Sequence, residues 1–139
     1  MINKTLSLQN LTNQYLNVIN TMKQIDIVVP NERLLDVNTV LYRHKVGGLM
    51  SFDIEGRGRA KRKEEPVIVA SYYYGKKYVP EFASRTKIEA MVSDPQVKEI
   101  VDDLIKTLST GSASDGKIFV KDVLEVYDIG LKQVGEIAL

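Results

Sequence analysis

Hydrophobic residues near the start of this chain recur at helical spacing. Apolar side chains form one stripe over residues 5–22, running from Leu8 to Met22, and this pattern predicts an amphipathic helix. We expect the helix to pack onto the rest of the same protein or its oligomer, with docking to a separate partner as the alternative. On this pattern we assign residues 1–22 to an N-terminal helical extension and residues 23–139 to a single domain.

The pattern after residue 24 alternates between strand-like and helical segments. Residues 25–29 form a largely β-branched, apolar run that predicts a buried strand, and Pro30 ends it. Apolar residues from Leu34 to His44 return to helical spacing, and the glycine pair that follows stops this helix. Residues 49–55 alternate well enough to predict a second strand.

The second half of the chain repeats this order of elements. Residues 86–92 predict a third strand. Asp94 and Pro95 are a typical helix start, with Asp94 as the N-cap and Pro95 at the first helical position. A continuous apolar stripe predicts a helix over residues 97–108, and a fourth strand follows over residues 117–120, reaching at most residue 123.

The predicted order is therefore β-α-β, a long connection, and again β-α-β. Two similar halves of this kind are typical of a ferredoxin-like α+β fold, in which an antiparallel sheet carries both helices on one face. The other face still presents apolar side chains such as Phe52 and Phe119. Because a large uncovered apolar surface usually marks an interaction site, we expect the protein to self-associate.

Composition and charge exclude several classes of function and of functional site. The chain has 139 residues, of which 44% are hydrophobic and 27% charged, as in an ordinary soluble domain. Its net charge of +1 excludes a global attraction to nucleic acid or membranes. It has no cysteine and one histidine, so we expect no disulfide, no thiolate catalysis and no metal site. No transmembrane segment or catalytic grouping is apparent, so we expect a cytoplasmic protein that is not an enzyme.

The connection over residues 57–85 is longer than the loops of a compact domain. It begins with a basic run, and its middle combines apolar residues with a cluster of tyrosines that includes Tyr73, Tyr74 and Tyr78. A purely polar linker would lack that apolar and aromatic middle. We therefore interpret the connection as a segment that contacts a partner, with covalent modification of its tyrosines as an alternative.

The basic run at residues 57–63 permits a second interpretation, in which it binds nucleic acid. About five cations would add salt-dependent affinity for phosphates. However, Glu64 and Glu65 cancel part of this charge, and no recognition helix or base-stacking strand is apparent. We keep a nucleic-acid-binding module using Arg57 to Lys63 as the alternative and expect no nucleic-acid partner.

Two glycine-containing corners with nearby cations predict an anion site. The first follows the second predicted strand, and the second is the small-residue segment 110–117, which ends in Asp-Gly-Lys. Small residues expose backbone N–H groups that can surround a phosphate, and a lysine adds a positive charge. The second and fourth strands could bring both corners to one cleft. The candidate nucleotide-binding residues are Gly56, Gly58, Arg59, Lys61, Asp115, Gly116 and Lys117.

Several separated motifs, in the correct order, resemble the PII nitrogen-regulatory signal-transduction family. The resemblance covers residues 23–139 and makes residues 57–85 the T-loop of that family. The motifs that carry it are Gly56-Arg-Gly-Arg59 with Lys61, residues 73–78, residues 82–89, residues 110–120 and the C-terminal residues 134–139.

The resemblance implies a homotrimer of ferredoxin-like subunits with ATP or ADP bound in the clefts between them. It also implies that the T-loop docks into an ammonium transporter or onto a metabolic enzyme or regulator. In the family, ATP with Mg²⁺ and 2-oxoglutarate, the small-molecule effector, sets the conformation of that loop. Tyr78 corresponds to a tyrosine that some members have uridylylated. Arg85 corresponds to a lysine that contacts 2-oxoglutarate, and it keeps the charge with a different geometry.

Four further positions depart from the family pattern. Ala60 replaces a glutamine that helps to hold Mg²⁺ and 2-oxoglutarate. Ser114 replaces a glycine, which implies strain if a positive φ is needed there. Asp128 and Gly130 replace two arginines that grip phosphates, and losing two such contacts lowers affinity by about 10²–10⁴. We therefore expect weak ATP or ADP binding and no Mg²⁺ or 2-oxoglutarate binding in the usual mode. The alternative is a protein that responds to another small ligand.

Overall fold

The computed structural model describes residue 10, residues 22–59, the backbone of residues 65, 66, 77 and 78, and residues 82–139. Short 3₁₀ turns precede both helices. No helix within these described parts is long and apolar enough to cross a membrane. The strands and helices are, in chain order, β1 (Met22–Val29), α1 (Leu34–Arg43), β2 (Leu49–Gly56), β3 (Glu65–Pro66), β4 (Lys77–Tyr78), β5 (Ala83–Ser93), α2 (Val97–Leu108) and β6 (Lys117–Asp122).

The main sheet has four antiparallel strands in the order β2-β5-β1-β6. With two helices, this is the ferredoxin-like α+β fold that the periodicity predicted. The short strands β3 and β4 form a separate ladder, in which Glu65 pairs with Tyr78. Strand β5 begins at Ala83, three residues before the predicted start, because it pairs with β2 as far as Gly56. Ala83 to Arg85 therefore belong to the sheet and not to the loop.

The hydrophobic core lies between the sheet and the two helices. Inward-facing residues alternate along β1 and β5, as expected of strands with one face buried. Each helix contributes three buried side chains to the same layer. The core residues are Ile25, Ile27, Val29, Val37, Val40, Leu41, Ile88, Ala90, Val92, Ile100, Leu104 and Leu108.

Two boundaries differ from the sequence prediction. Met22 opens β1 and is buried, whereas the pattern placed it at the end of the N-terminal helix. Within residues 1–21, the structure describes Asn10 alone, which is helical, so the predicted helix otherwise lies outside the described residues. At the 3₁₀ turn Asp94–Gln96 that leads into α2, the N-cap is Ser93, not Asp94, because the Ser93 hydroxyl and N–H both donate to Gln96 Oε1, at 2.9 and 3.3 Å, in a capping box.

A charged cluster joins the C-terminal end of α1 to the middle of α2. His44 follows α1, and its Nε2 lies 2.8 Å from Asp103 Oδ2 on α2. Arg43 Nη1 also donates to both oxygens of Asp103, at 3.0 and 2.9 Å. These bonds hold the pKa of the Asp103 carboxyl below its usual range, with the His44 hydrogen bond as the largest cause. The histidine of this chain thus has a structural partner.

The uncovered face of the sheet carries a polar network at its centre. Asp26 is only 1% exposed and accepts hydrogen bonds from Lys121 Nζ at 2.5 Å and Gln24 Nε2 at 2.6 Å. Lys87 Nζ lies 3.6 Å from Asp26 Oδ2 and 2.8 Å from Glu89 Oε1. Asp26 and Glu89 are direct cross-strand partners, so the lysines screen two carboxylates that would otherwise repel.

The environment of Asp26 lowers its pKa. Burial is the largest single influence and raises the pKa, because it disfavours the charged form. The hydrogen bonds from Lys121 and Gln24 and the positive charge of Lys87 together outweigh burial. The carboxyl is therefore ionised at neutral pH and contributes to stability as an anion.

Replacing Asp26 by Asn tests this network through its pH dependence. Because the folded pKa lies below the ordinary value of 3.8, the stabilisation is complete above that value and is lost as pH falls through the folded pKa. We expect Asp26→Asn to lower the free energy of unfolding by about 1–3 kcal/mol at pH 7, and the difference to shrink below pH ~4. Denaturant unfolding of both proteins across this pH range measures it.

The matched control is Asp53→Asn, which removes an exposed carboxylate from β2 and should change stability by less than about 0.5 kcal/mol. A difference between wild type and Asp26→Asn that stays constant from pH 7 to pH ~3 would contradict an ionised Asp26 as the source of the effect.

Candidate functional site

The two glycine corners meet at one edge of the sheet. Because all neighbouring strands are antiparallel, the end of β2, the start of β5, the end of β1 and the start of β6 lie at that same edge. There they border a cleft of about 190 Å³. The residues around this cleft are Val28, Gly56, Arg57, Gly58, Arg85, Ala113, Ser114, Gly116, Lys117 and Phe119.

Asp115 holds the second corner together from within. Its carboxylate accepts hydrogen bonds from the Thr110 N–H at 2.7 Å, the Thr110 hydroxyl at 2.6 Å and the Ser112 N–H at 3.2 Å. These bonds lower its pKa, with the Thr110 hydroxyl as the largest cause. Both carboxylate oxygens are therefore occupied within the loop. The sequence singled out Asp115 for nucleotide binding, and the structure adds a role as the anchor of the loop.

Gly116 has a steric reason to be glycine that the sequence could not reveal. It adopts a φ of +127°, and a Cβ at this position would lie 2.1 Å from the carbonyl oxygen of Val28. A contact of that length cannot exist, so the loop can approach β1 this closely only without a side chain. The next residue, Lys117, begins β6 and pairs with Val28.

Ser114 occupies its position without a left-handed backbone. The non-glycine residues that have a positive φ in the described parts are Lys45 and Lys132, so the strain expected at Ser114 is absent. Its N–H donates to Ser112 Oγ at 3.1 Å. Its carbonyl accepts a hydrogen bond from Arg85 Nη1 at 3.3 Å, which ties β5 to the loop.

The structure places some of the predicted site residues at the cleft and others away from it. Lys117 and Arg85 both line the cleft, and Lys117 forms no ion pair with any described residue. Arg59 follows β2 and is exposed. Tyr78 lies in β4, where its backbone pairs with Glu65. The predicted site residues outside the described part of the chain are Lys61, Tyr73 and Tyr74.

Asp128 lies in a turn near the C-terminus. Its N–H donates to the Gln133 carbonyl at 2.9 Å, and its Oδ1 accepts from the Leu131 N–H at 2.7 Å. The Gly135 N–H donates to the Val126 carbonyl at 2.9 Å and closes the hairpin. An aspartate that bonds to the backbone a few residues onward is a common turn device, and this signal was readable in the sequence.

The cleft combines two kinds of surface. Arg85 and Lys117 supply positive charge, while Val28 and Phe119 supply an apolar wall. Such a lining suits a ligand that has an anionic group joined to an apolar or aromatic part. No group of three carboxylate or histidine side chains within the described residues is arranged to hold a metal ion.

Comparison with known proteins agrees with this geometry. Residues 22–132 match the family model described as nitrogen regulatory protein P-II. The chain is 34% identical over 118 residues to the nitrogen regulatory protein P-II of Porphyra purpurea, covering 85% of this chain and 100% of that protein. It is 37% identical over 108 residues to that of Klebsiella oxytoca, covering 78% and 91%. The solved B. subtilis GlnK–ATP complex superposes with a TM-score of 0.65 at 26% identity, covering 86% and 99%.

Replacing Gly116 by Ala tests the close approach of the loop to β1. We expect a loss of about 3 kcal/mol in the free energy of unfolding, because the new methyl group clashes with the Val28 carbonyl and the φ is unfavourable for alanine. Thermal or denaturant unfolding measures the loss. The control is Gly58→Ala in the same cleft, where a Cβ has nothing within 4 Å. Equal stability of the two variants would contradict the steric role of Gly116.

Proposed function

This chain belongs to the nitrogen regulatory protein P-II family, and on that premise we propose that it is a non-enzymatic regulator that docks its T-loop onto a transporter or metabolic enzyme. The observation that carries the proposal is the family match over residues 22–132, which spans the whole ferredoxin-like sheet and the long connection together. Membership of this family favours an ammonium transporter or an enzyme of nitrogen metabolism as the partner, contacted from the cytoplasm.

The long connection supports docking through its own composition. Strands β3 and β4 bring the two limbs of the connection side by side where Glu65 pairs with Tyr78. The segment between them includes Tyr73 and Tyr74, and tyrosine is enriched where proteins contact one another. We propose that these tyrosines contact the partner and that Tyr78 is the residue open to modification.

Affinity capture from the native cell tests the docking role. We expect the full chain to retain a transporter or metabolic enzyme that is lost when residues 62–80 are deleted, because the deletion removes the proposed contact. The control is Lys98→Ala, which breaks an exposed ion pair with Asp102 on α2 and leaves the loop intact. Quantitative mass spectrometry measures the retained proteins. Identical sets with and without residues 62–80 would overturn the docking proposal.

We also propose that the cleft binds ATP or ADP, with reduced affinity. The cleft of one chain, about 190 Å³, is smaller than the 300–1,000 Å³ typical of ligand pockets, which supports a site completed by a second subunit. The B. subtilis GlnK–ATP complex is a structural neighbour. The Arg85 guanidinium donates to the Ser114 carbonyl and so already has a partner within the chain. This supports the proposal that 2-oxoglutarate does not bind here in the mode usual for the family.

The uncovered face of the sheet supports a homotrimer. Phe52 and Phe119 lie on this face and are 45% and 48% exposed. The central network of Asp26 and its neighbours pairs two carboxylates with two ammonium groups, so the centre of the face carries no net charge. A neutral centre rimmed by aromatic rings suits contact with other copies of the chain better than contact with an anionic surface.

Replacing Phe119 by Asp tests this assembly. We expect the wild type to have about three times the 15.7 kDa mass of one chain, and Phe119→Asp to shift toward the single-chain mass because it introduces a charge into an apolar contact. Light scattering after size exclusion measures both. The control is Tyr42→Asp, since Tyr42 is 81% exposed on α1, in the helical layer. A single-chain mass for the wild type would refute the trimer.

A further inference from the structure

The loop at the cleft satisfies most of its own backbone donors. The N–H groups of Thr110 and Ser112 donate to the Asp115 carboxylate, at 2.7 and 3.2 Å. The Asp115 N–H donates to the Ser112 carbonyl at 3.2 Å, and the Ser114 N–H donates to the Ser112 hydroxyl oxygen at 3.1 Å. A loop of small residues surrounds an anion through free N–H groups, and here four of these groups already have partners.

One of these four hydrogen bonds can open with less disruption of the loop than the others. The bonds to Asp115 define the loop itself, because they connect residues on both sides of the turn. The bond from the Ser114 N–H ends on a single exposed hydroxyl, that of Ser112. Ser114 lines the cleft, whereas Ser112 does not. The Ser112 hydroxyl therefore occupies a donor at the cleft without being part of its wall.

The positive charges at the cleft do not depend on the opening of the Ser112 bond. Lys117 has no ion pair within the described residues and lines the same cleft. Arg85 donates to the Ser114 carbonyl and so holds the peptide next to the occupied N–H. Positive charge is thus available to an anion at once, whereas the Ser114 amide becomes available only when the Ser112 bond opens.

We propose that Ser112 sets the phosphate affinity of this cleft by competing with the ligand for the Ser114 N–H. The proposal rests on the proposed nucleotide function of the cleft. A bound phosphate oxygen and the Ser112 hydroxyl cannot both accept this hydrogen, so binding must first replace an internal bond. Ser112 is therefore an affinity-determining residue that acts through Ser114 and does not itself touch the ligand.

Titration calorimetry of single variants with ATP, ADP and adenosine tests the competition. Ser112→Ala removes the competing oxygen, and we expect it to bind ATP and ADP about two- to tenfold more tightly than wild type, the worth of the one neutral hydrogen bond that no longer has to open. Adenosine has no phosphate and should show no gain. Ser112→Thr keeps a hydroxyl and should behave as wild type.

Two further variants serve as references. Ser109→Ala makes the same chemical change just before the loop, at a hydroxyl with no hydrogen bond in the described structure, and should leave affinity unchanged. Lys117→Ala removes one of the cations that line the cleft, and it should weaken ATP binding in both the wild type and the Ser112→Ala background if the nucleotide binds in this cleft.

The outcomes separate the competition from the nucleotide function. Measurable ATP binding that is equal in wild type and Ser112→Ala, or weaker in Ser112→Ala, overturns the role of Ser112 and leaves the nucleotide site standing. A gain for adenosine equal to that for ATP also overturns it, because a generally loosened loop would then explain the effect. If neither protein binds ATP at millimolar concentration, both the competition and the nucleotide function are wrong.

Discussion

The close approach between the backbone at Gly116 and the carbonyl of Val28 fixes the edge of the sheet where the cleft forms. A Cβ at Gly116 would lie 2.1 Å from that oxygen, so the contact exists only because the residue is glycine. Val28 pairs with Lys117, the first residue of β6. The same contact therefore determines where the last strand begins, where the loop turns and where the cleft lysine lies.

A second constraint comes from the uncovered face of the sheet. Cross-strand pairing places the carboxylates of Asp26 and Glu89 side by side, an arrangement that is unfavourable on its own. Lys87 contacts both carboxylates, and Lys121 donates to Asp26. The network removes the repulsion and leaves the centre of this face without net charge. A single chain thus keeps a charge buried on the side of the sheet that its own helices do not cover.

Much of the fold was predictable because it follows from local periodicity. The helix over residues 97–108 was predicted with the bounds that the structure has, since its apolar stripe is continuous. The start of β5 at Ala83 was not predictable, because those residues become a strand by pairing with β2 as far as Gly56. The N-cap was misassigned to Asp94, although Ser93 with Gln96 three residues later is a readable capping signal.

The features of the candidate site also fall into two groups, those that the sequence predicted and those that needed the tertiary structure. The sequence by itself determined the fold family, the two glycine corners and the small-residue character of the loop, because these depend on residue type and spacing. Only the tertiary structure decided that Gly116 must be glycine, that Asp115 is used within the loop and that the Ser114 N–H is already bonded. These properties depend on distances between atoms that folding brings together, which spacing along the chain does not encode.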